Sequence, residues 1–381
     1  MESQNQVKEY PFYVKATVVL LGLVAMFFIL FELSSVLIPF AFAALFAVLL
    51  NPLFVWLDAK MNRILALCLT LLIAVVAVAL LVYFLSTRIA SFANDIPLIK
   101  AKLFHLVDQL QWWVRRQMGQ EIAQNVNSLK KTITPTNPDL ITNTVSTVIA
   151  MLGVLVLLPI YIFLLLYYKP LVLDFLFQVF SEKHSLRVAE ILAQIKRAIQ
   201  SFMVGLMIET AIVCTANSVA LILIGVPNAI VIGIIGGILN ILPYIGGIIA
   251  IALPVLMVLI SGSPYSDILL IVAAYSLIQF VDNNFLVPRI VSSKVQINAL
   301  ISVLVVLLGG LLWGVSGMFL AIPFIAVTKI ICDRIDELKP WGKLLGDEVP
   351  TEHVGVVWQK RWDRIFRRIE KEKIEAEKND L

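Results

Sequence analysis

The feature that most limits the fold is a stretch of 57 consecutive residues, from Thr210 to Ser266, without a charged side chain. About 18 such residues already suggest a membrane-spanning helix, so this stretch is long enough for more than one crossing. Over all 381 residues, 60% are hydrophobic and 15% are charged, whereas soluble domains average about 45–50% and about 25%. The sequence therefore predicts an all-α, polytopic membrane protein and excludes a soluble domain, a disordered chain and a disulfide scaffold.

Charged residues divide the rest of the chain into candidate spans. Glu32 is the single charge between the first two, which predicts a tight helical hairpin with Glu32 near its turn, and the fifth span carries Glu209. These five uncharged or nearly uncharged stretches comprise residues 16–31, 33–57, 64–87, 140–168 and 205–226.

Two further apolar runs are too long for one crossing and are interrupted in the middle. Residues 229–260 would form a helix of about 48 Å, whereas the hydrocarbon core is about 30 Å thick. Pro243 removes a backbone donor and the paired glycines after it loosen the helix. Residues 295–328 are interrupted by Gly309, Gly310, Gly314, Ser316 and Gly317. We interpret both runs as re-entrant helical hairpins.

The distribution of Lys and Arg predicts the orientation. Lys8, Lys15, Lys60, Arg63 and the basic C-terminal tail belong on the cytoplasmic side, so both termini are cytoplasmic. Two hairpins entering from opposite faces also place Arg289 and Lys294 inside. A single crossing at each run keeps the tail inside but puts these two residues outside, and this alternative stays open.

Three polar segments carry apolar residues at helical spacing and predict amphipathic helices. The first runs from Ile99 to Trp113, the second from Val188 to Phe202, and the third from Trp358 to Ile369. Each is interpreted either as packing against protein or the bilayer surface, or as a contact surface. The contact would be between subunits for the first two and with anionic lipid for the third.

The predicted organisation has five parts. They are three N-terminal membrane spans (1–87), an extracytoplasmic amphipathic segment (88–143), a fourth span with a cytoplasmic amphipathic connector (144–204), a transport core containing both broken runs (205–328), and a charged cytoplasmic tail (329–381).

Broken helices at membrane depth indicate a solute path, because their free backbone groups need protein or water as partners. Close helix packing is the alternative, since Gly233 and Gly237, or Gly310 and Gly314, have the small-xxx-small spacing. Asp282, between the two runs, costs roughly 2.5–3.5 kcal/mol at a helix centre, so it should face protein or water. It predicts either a structural hydrogen-bond cluster or a binding site for a solute or cation.

The candidate site therefore combines the breaks with this polar segment. Asp282 and Glu209 are the candidates for ion coupling, although placement at the membrane interface is slightly favoured for Glu209. The candidate solute-binding residues are Asn240, Pro243, Tyr244, Gly246, Gly247, Gln279, Asp282, Asn283, Asn284, Gly309, Gly310, Gly314, Ser316 and Gly317.

Four motifs carry a resemblance to a known family. They are Gly225-Val-Pro227, Leu239-Asn-Ile-Leu-Pro243-Tyr-Ile-Gly246-Gly247, Gln279 with Asp282-Asn283-Asn284 and Pro288, and Gly309 followed by Gly314-Val-Ser-Gly317 and Pro323. In these motifs and over residues 10–335 the chain resembles the autoinducer-2 exporter family of bacterial membrane permeases. Many members carry a proline soon after the equivalent of Pro288, where this chain reads Val295-Gln-Ile-Asn298.

The resemblance implies about eight membrane segments, two helical hairpins beside the substrate path and a homo-oligomer, expected to be a pentamer. It also implies the bacterial inner membrane and an elevator-like movement of the hairpin region. We therefore expect a transporter of small hydrophilic molecules, with autoinducer-2 (AI-2) as the first candidate solute. A sodium/proton antiporter and a passive channel are the alternatives. The expected partners are the solute, the lipid bilayer and further copies of the chain, without nucleic acid.

An enzyme is not expected. Gly314-Val-Ser316-Gly317 matches the G-x-S-G motif of rhomboid-type intramembrane proteases, but its serine needs a membrane-embedded histidine as base. The sequence has no histidine between residues 185 and 352, and neither an HExxH nor a P-loop motif. No cofactor or metal is expected either.

Overall fold

The structure is a computed structural model. It describes residues 11–84, 86, 108, 112, 116, 156–180, 182–242, 245–262, 264–291, 297–347, 359 and 362–367. Within these ranges the chain is helical almost throughout and contains no β-strand, which confirms the all-α prediction.

Within the described ranges, six helices are long and apolar enough to cross a membrane. The count rises to seven if a pair bent by 56° forms one further span. The multi-span prediction is confirmed, while the number eight and the re-entrant geometry stay predictions. The helices are α1 (Phe12–Glu32), α2 (Ser34–Asp58), α3 (Arg63–Phe84), the bent pair α4 (Val156–Tyr167) and α5 (Lys169–Val179), α6 (Glu182–Ile224), α7 (Ala229–Leu239), α8 (Ile245–Ser261), α9 (Tyr265–Val281), a π-helix (Asp282–Val291), α10 (Ala299–Arg334) and α11 (Lys339–Leu345).

Two boundaries refine the predicted spans. α1 ends at Glu32 and α2 begins at Ser34, so the first break lies one residue after the predicted position. The amphipathic connector and the fifth span form the single helix α6, which is 43 residues long. No proline interrupts residues 182–224, so nothing in the local sequence ends the helix between connector and span.

The first long run is broken as predicted. α7 ends at Leu239 and α8 begins at Ile245, and the two helices pack against each other. α7 also lies closely against α6. A Cβ added at Gly233 would come within 2.5 Å of Ser218, and one added at Gly237 would overlap Cys214. These two glycines therefore serve close helix packing, which is the second of the two interpretations given by their spacing.

The second long run folds back on itself inside α10. The backbone is non-helical at Trp313 and Gly314, and Gly314 has φ +59°, a left-handed conformation that favours glycine. A Cβ added at Gly317 would overlap the carbonyl oxygen of Gly309, so the two arms touch there. In a straight helix, positions eight residues apart would lie about 12 Å apart. The Trp313 indole donates to the Leu30 carbonyl oxygen at 2.9 Å and links this turn to α1.

Buried apolar side chains form two main clusters. The N-terminal core joins α2, α3 and α4, and the second core joins the end of α6 with α7, α8 and α9. A smaller cluster of Leu45, Met203 and Leu320 connects α2, α6 and α10. Each main cluster is thus assembled from its own set of helices. The N-terminal core contains Ala43, Ala47, Phe54, Leu57, Ala66, Leu67, Ile162 and Leu166, and the second core contains Leu221, Val226, Ala229, Ile232, Ala250, Met257, Val258, Ile271 and Tyr275.

Exposed ion pairs join the start of α6 to the end of α10. Arg334 lies 3.1 Å from Glu190, and Asp336 lies 2.6 Å from Lys339 and 3.6 Å from Arg187. The hydrogen bond and positive charge of Lys339, together with Arg187, hold the pKa of the Asp336 carboxyl below its usual range.

Several predictions fall on residues that the structure does not describe. The arm at 88–143 lies outside the described residues except for isolated positions. Of the chain after residue 347, positions 359 and 362–367 are described and helical, with the Trp362 and Phe366 rings 5.5 Å apart.

Candidate functional site

A buried polar cluster surrounds Asp282, where α9 passes into the π-helix. The Asn240 amide, just after α7, donates to Asp282 Oδ2 at 2.8 Å. The Gln279 amide, one turn earlier on α9, donates to the same oxygen at 3.3 Å. Asp282 is 2% exposed. The break in the first long run and the polar segment after α9 therefore meet at one carboxyl group.

Asp282 also faces a second carboxyl group. Glu209 on α6 is 6% exposed, and its carboxyl lies within hydrogen-bonding reach of Asp282. Asp282 Oδ1 is buried and has no hydrogen-bond donor among the described residues. Because two carboxylates cannot donate to each other, the Glu209–Asp282 contact becomes a hydrogen bond only when one of them carries a proton.

The surrounding sequence offers no basic side chain to this pair. The chain has no Lys, Arg or His between Arg197 and Arg289. Two negative charges this close repel each other, and a shared proton or a bound cation relieves the repulsion. Chemically, the arrangement can hold a proton, a cation or the donor groups of a polar solute.

The glycines after the break bring the start of α8 against this cluster. A Cβ added at Gly247 would lie 2.6 Å from Gln279 Oε1 and 3.8 Å from Asn240 Oδ1. A Cβ added at Gly246 would overlap the Leu239 carbonyl oxygen and lie 2.9 Å from the Asn240 Cα. Neither glycine is among those with positive φ. Glycine is needed here for close approach and not for an unusual backbone conformation.

The remaining predicted residues have more varied positions. Asn283 accepts from the Gln279 amide at 3.2 Å, and Asn284 donates to the Phe280 carbonyl oxygen at 2.8 Å; both are exposed. Pro243 and Tyr244 lie outside the described residues.

The structure does not bring the second broken run to Asp282. The α10 helix packs against α1, α2, α6 and α11. Among the described residues, no side-chain hydrogen bond joins the α10 turn to the Asp282 cluster. Inside that turn, a Cβ at Gly310 would meet the Met318 side chain at 2.7 Å. The predicted residues Gly309, Gly310, Gly314, Ser316 and Gly317 thus form a group of their own, and a single site including them stays a prediction.

Two buried polar residues on the helices of the two carboxyl groups were missed from the sequence. Asn217 on α6 and Tyr275 on α9 are 2% and 4% exposed. Asn217 lies eight residues after Glu209 and Tyr275 seven before Asp282. Because both spacings are about two helical turns, a search for polar residues on the faces of the two carboxylates could have found them.

Comparison with known proteins gives a consistent result. Residues 17–337 match the sequence profile described as AI-2E family transporter. The AI-2 transport protein TqsA of Escherichia coli K12 is 29% identical over 320 residues, which cover 82% of this chain and 90% of that protein. The putative transport protein YhhT of Escherichia coli K12 is 25% identical over 334 residues, covering 84% and 91%. The putative transport protein YueF of Bacillus subtilis 168 is 23% identical over 344 residues, covering 85% and 91%.

Proposed function

The chain belongs to the AI-2E transporter family, and from this membership we propose that it moves a small hydrophilic molecule across the bacterial inner membrane. AI-2 is the first candidate solute, because the relative TqsA carries the name AI-2 transport protein. We propose that the termini are cytoplasmic and that the protein works as a homo-oligomer, with a pentamer as the expected form.

The observation that carries this proposal is the buried carboxyl group of Asp282 at the broken helix. An aspartate inside an apolar span costs roughly 2.5–3.5 kcal/mol by insertion scales, yet here one of its oxygens has no donor within the described chain. Broken helices expose backbone groups that transporters use to bind solutes near the bilayer midplane. We propose that Asp282, Asn240 and Gln279 bind the solute or the ion that is coupled to it.

An elevator-like movement is the proposed mechanism. The polar cluster belongs to the helices of the second core, whereas α2, α3 and α4 form a core of their own. Two separate cores can move relative to each other as rigid bodies with little loss of internal packing. We propose that α7, α8 and α9 carry the bound solute, while α2 to α4 stay in the oligomer as the fixed scaffold.

A sodium/proton antiporter is the second candidate function. The contact between the Glu209 and Asp282 carboxyl groups favours it, since a carboxyl pair can exchange a proton for a cation. A passive channel remains the third possibility from the sequence, and it would show flux without coupling to an ion gradient.

The function is tested by flux into proteoliposomes that contain the purified protein. AI-2, sodium and protons are supplied in turn, with and without an opposing ion gradient. We expect AI-2 uptake to exceed that of protein-free liposomes and to depend on a proton or sodium gradient. Sodium–proton exchange without AI-2 uptake would favour the antiporter, and AI-2 uptake that ignores every gradient would favour the channel.

The proposed re-entrant hairpins predict which loops face which side of the membrane. Single cysteines introduced at Ser263 and Ser292, in a variant without native cysteines, should react with a membrane-impermeant reagent from opposite sides. We expect Ser263→Cys to react from outside and Ser292→Cys from the cytoplasmic side. Reaction of Ser292→Cys from outside would replace the two hairpins by ordinary crossings.

A further inference from the structure

Two buried polar groups on facing helices have no hydrogen-bond partner among the residues that the structure describes. The Asn217 Oδ1 atom on α6 and the Tyr275 hydroxyl on α9 make no hydrogen bond within the described part of the chain. Their residues are 2% and 4% exposed, so the surrounding solvent does not satisfy them. Buried polar groups in folded proteins nearly always have a partner, from protein or from a bound molecule. These two atoms therefore point to a bound polar group.

The two side chains converge beside Gly236 of α7. The position of a Cβ on Gly236 lies 3.4 Å from Asn217 Nδ2 and 3.6 Å from the Tyr275 hydroxyl oxygen. The third neighbour of that position is the Ala250 Cβ of α8, at 3.5 Å. Four helices of the second core therefore meet at this point. Because Gly236 has no side chain, it does not fill the position beside the two polar side chains.

The position beside Gly236 and the Asp282 cluster lie along the same face of α9. Tyr275, Gln279 and Asp282 follow each other at four and three residues along one face of α9. Glu209 and Asn217 lie eight residues apart on the buried side of α6. Because Glu209 faces Asp282 while Asn217 faces Tyr275 across Gly236, the two levels are about 11 Å apart along the helices.

We propose that Asn217 and Tyr275 form a second polar subsite beside Gly236 that binds one O–H group. An O–H group there can accept from Asn217 Nδ2, the amide atom that faces this position, and can donate to or accept from the Tyr275 hydroxyl. A cation would find no charged ligand in these two side chains, and an apolar group would leave both unpaired. The O–H group belongs either to the transported solute or to a bound water, and the solute source rests on the proposed transport function.

Removal of the Tyr275 hydroxyl tests the subsite without any transport assay. If the O–H group is a bound water, Tyr275→Phe loses a hydrogen bond and lowers the Tm of the purified full-length protein by about 2 °C. If the hydroxyl is simply unpaired, Tyr275→Phe removes a buried unsatisfied group and the Tm stays or rises. A fall in Tm therefore supports a bound water in the subsite, whereas an unchanged or higher Tm leaves only the solute as the source of the O–H group, which the KM measurement decides.

Filling the space gives an independent variant. A methyl group on Gly236 would make ordinary contacts of 3.4–3.6 Å, so Gly236→Ala should fold, but it takes the place of the O–H group. Gly22→Ala on α1 is the matched control, since an added Cβ there has nothing within 4 Å. Both changes raise helix propensity equally. We expect Gly236→Ala to have a lower Tm than Gly22→Ala.

Measurement with and without AI-2 identifies the source of the O–H group. A lower Tm of Tyr275→Phe in plain buffer assigns it to bound water. An unchanged Tm in buffer, together with a roughly tenfold rise in the KM for AI-2, assigns it to the solute. If Tyr275→Phe is as stable as the wild type or more so, and KM is unchanged, the proposal is overturned. A protein that does not transport AI-2 would contradict the proposed function but leave the buffer measurement valid.

Discussion

Asp282→Asn is expected to lower ion-coupled solute flux into proteoliposomes by more than about tenfold while the protein still folds and inserts. Asparagine has nearly the same volume and keeps an oxygen that can accept from Asn240 and Gln279, which donate to Asp282 at 2.8 Å and 3.3 Å. What disappears is the negative charge beside Glu209. Flux is measured in proteoliposomes, and oligomer size is checked on the same preparation.

The carboxylate of Asp267, at the opposite end of α9, gives a matched control. It lies in the first turn of the same helix, outside the polar cluster, so Asp267→Asn removes the same charge without touching the site. We expect normal flux from this control and loss of flux from Asp282→Ala. Normal flux with Asp282→Asn but not with Asp282→Ala would mean that hydrogen bonding suffices. Normal flux with both would show that Asp282 is a packing feature.

Gly246→Ala is expected to reduce flux by more than about tenfold and to lower thermal stability, and Gly246→Val should be more severe. The added Cβ overlaps the backbone carbonyl of Leu239 and lies 2.9 Å from the Asn240 Cα, and backbone atoms cannot rotate away. The break between α7 and α8 must therefore open, which withdraws Asn240 from Asp282.

Gly247→Ala should be milder than Gly246→Ala. Its Cβ would meet Gln279 Oε1 at 2.6 Å, and this side chain can turn aside at the cost of its bond to Asp282. Gly22→Ala is the control without a neighbour. Thermal unfolding and flux are measured on all three variants. Equal behaviour of Gly246→Ala and Gly22→Ala would contradict the close approach described at the break.

The sequence was sufficient to locate the breaks and the polar segment. The first long run is uncharged and, as one helix, would be longer than the membrane is thick. Pro243 near its middle therefore predicts a break, and α7 and α8 are separated there. Asp282 could be selected because a carboxylate in an apolar span has a large free-energy cost. Both inferences need only the local composition, which the sequence supplies, and the known thickness of the bilayer.

The packing around these elements could not be read from the chain. Glu209 is 73 residues before Asp282, and which side chains meet depends on how α6 rotates against α9. The sequence shows that paired glycines loosen the helix at Gly246 and Gly247, but it does not show which atoms lie against them, and the structure places Leu239, Asn240 and Gln279 there. The turn in α10 is predicted beside the same site; its Trp313 donates to Leu30 of α1 and packs against the cluster of Leu45, Met203 and Leu320, which the sequence does not show, and its place at the site stays a prediction.

The central claim, that the polar cluster lies on the transport path, is tested most directly by modifying Asn283 during transport. Asn283 is exposed and accepts from Gln279, which itself bonds to Asp282. The free cysteines Cys68, Cys214 and Cys332 are first replaced, and Asn283→Cys is introduced. A membrane-impermeant thiol reagent is then applied to each side of the proteoliposomes in turn. The account predicts reaction from both sides and loss of flux after reaction. Complete reaction with unchanged flux would contradict it.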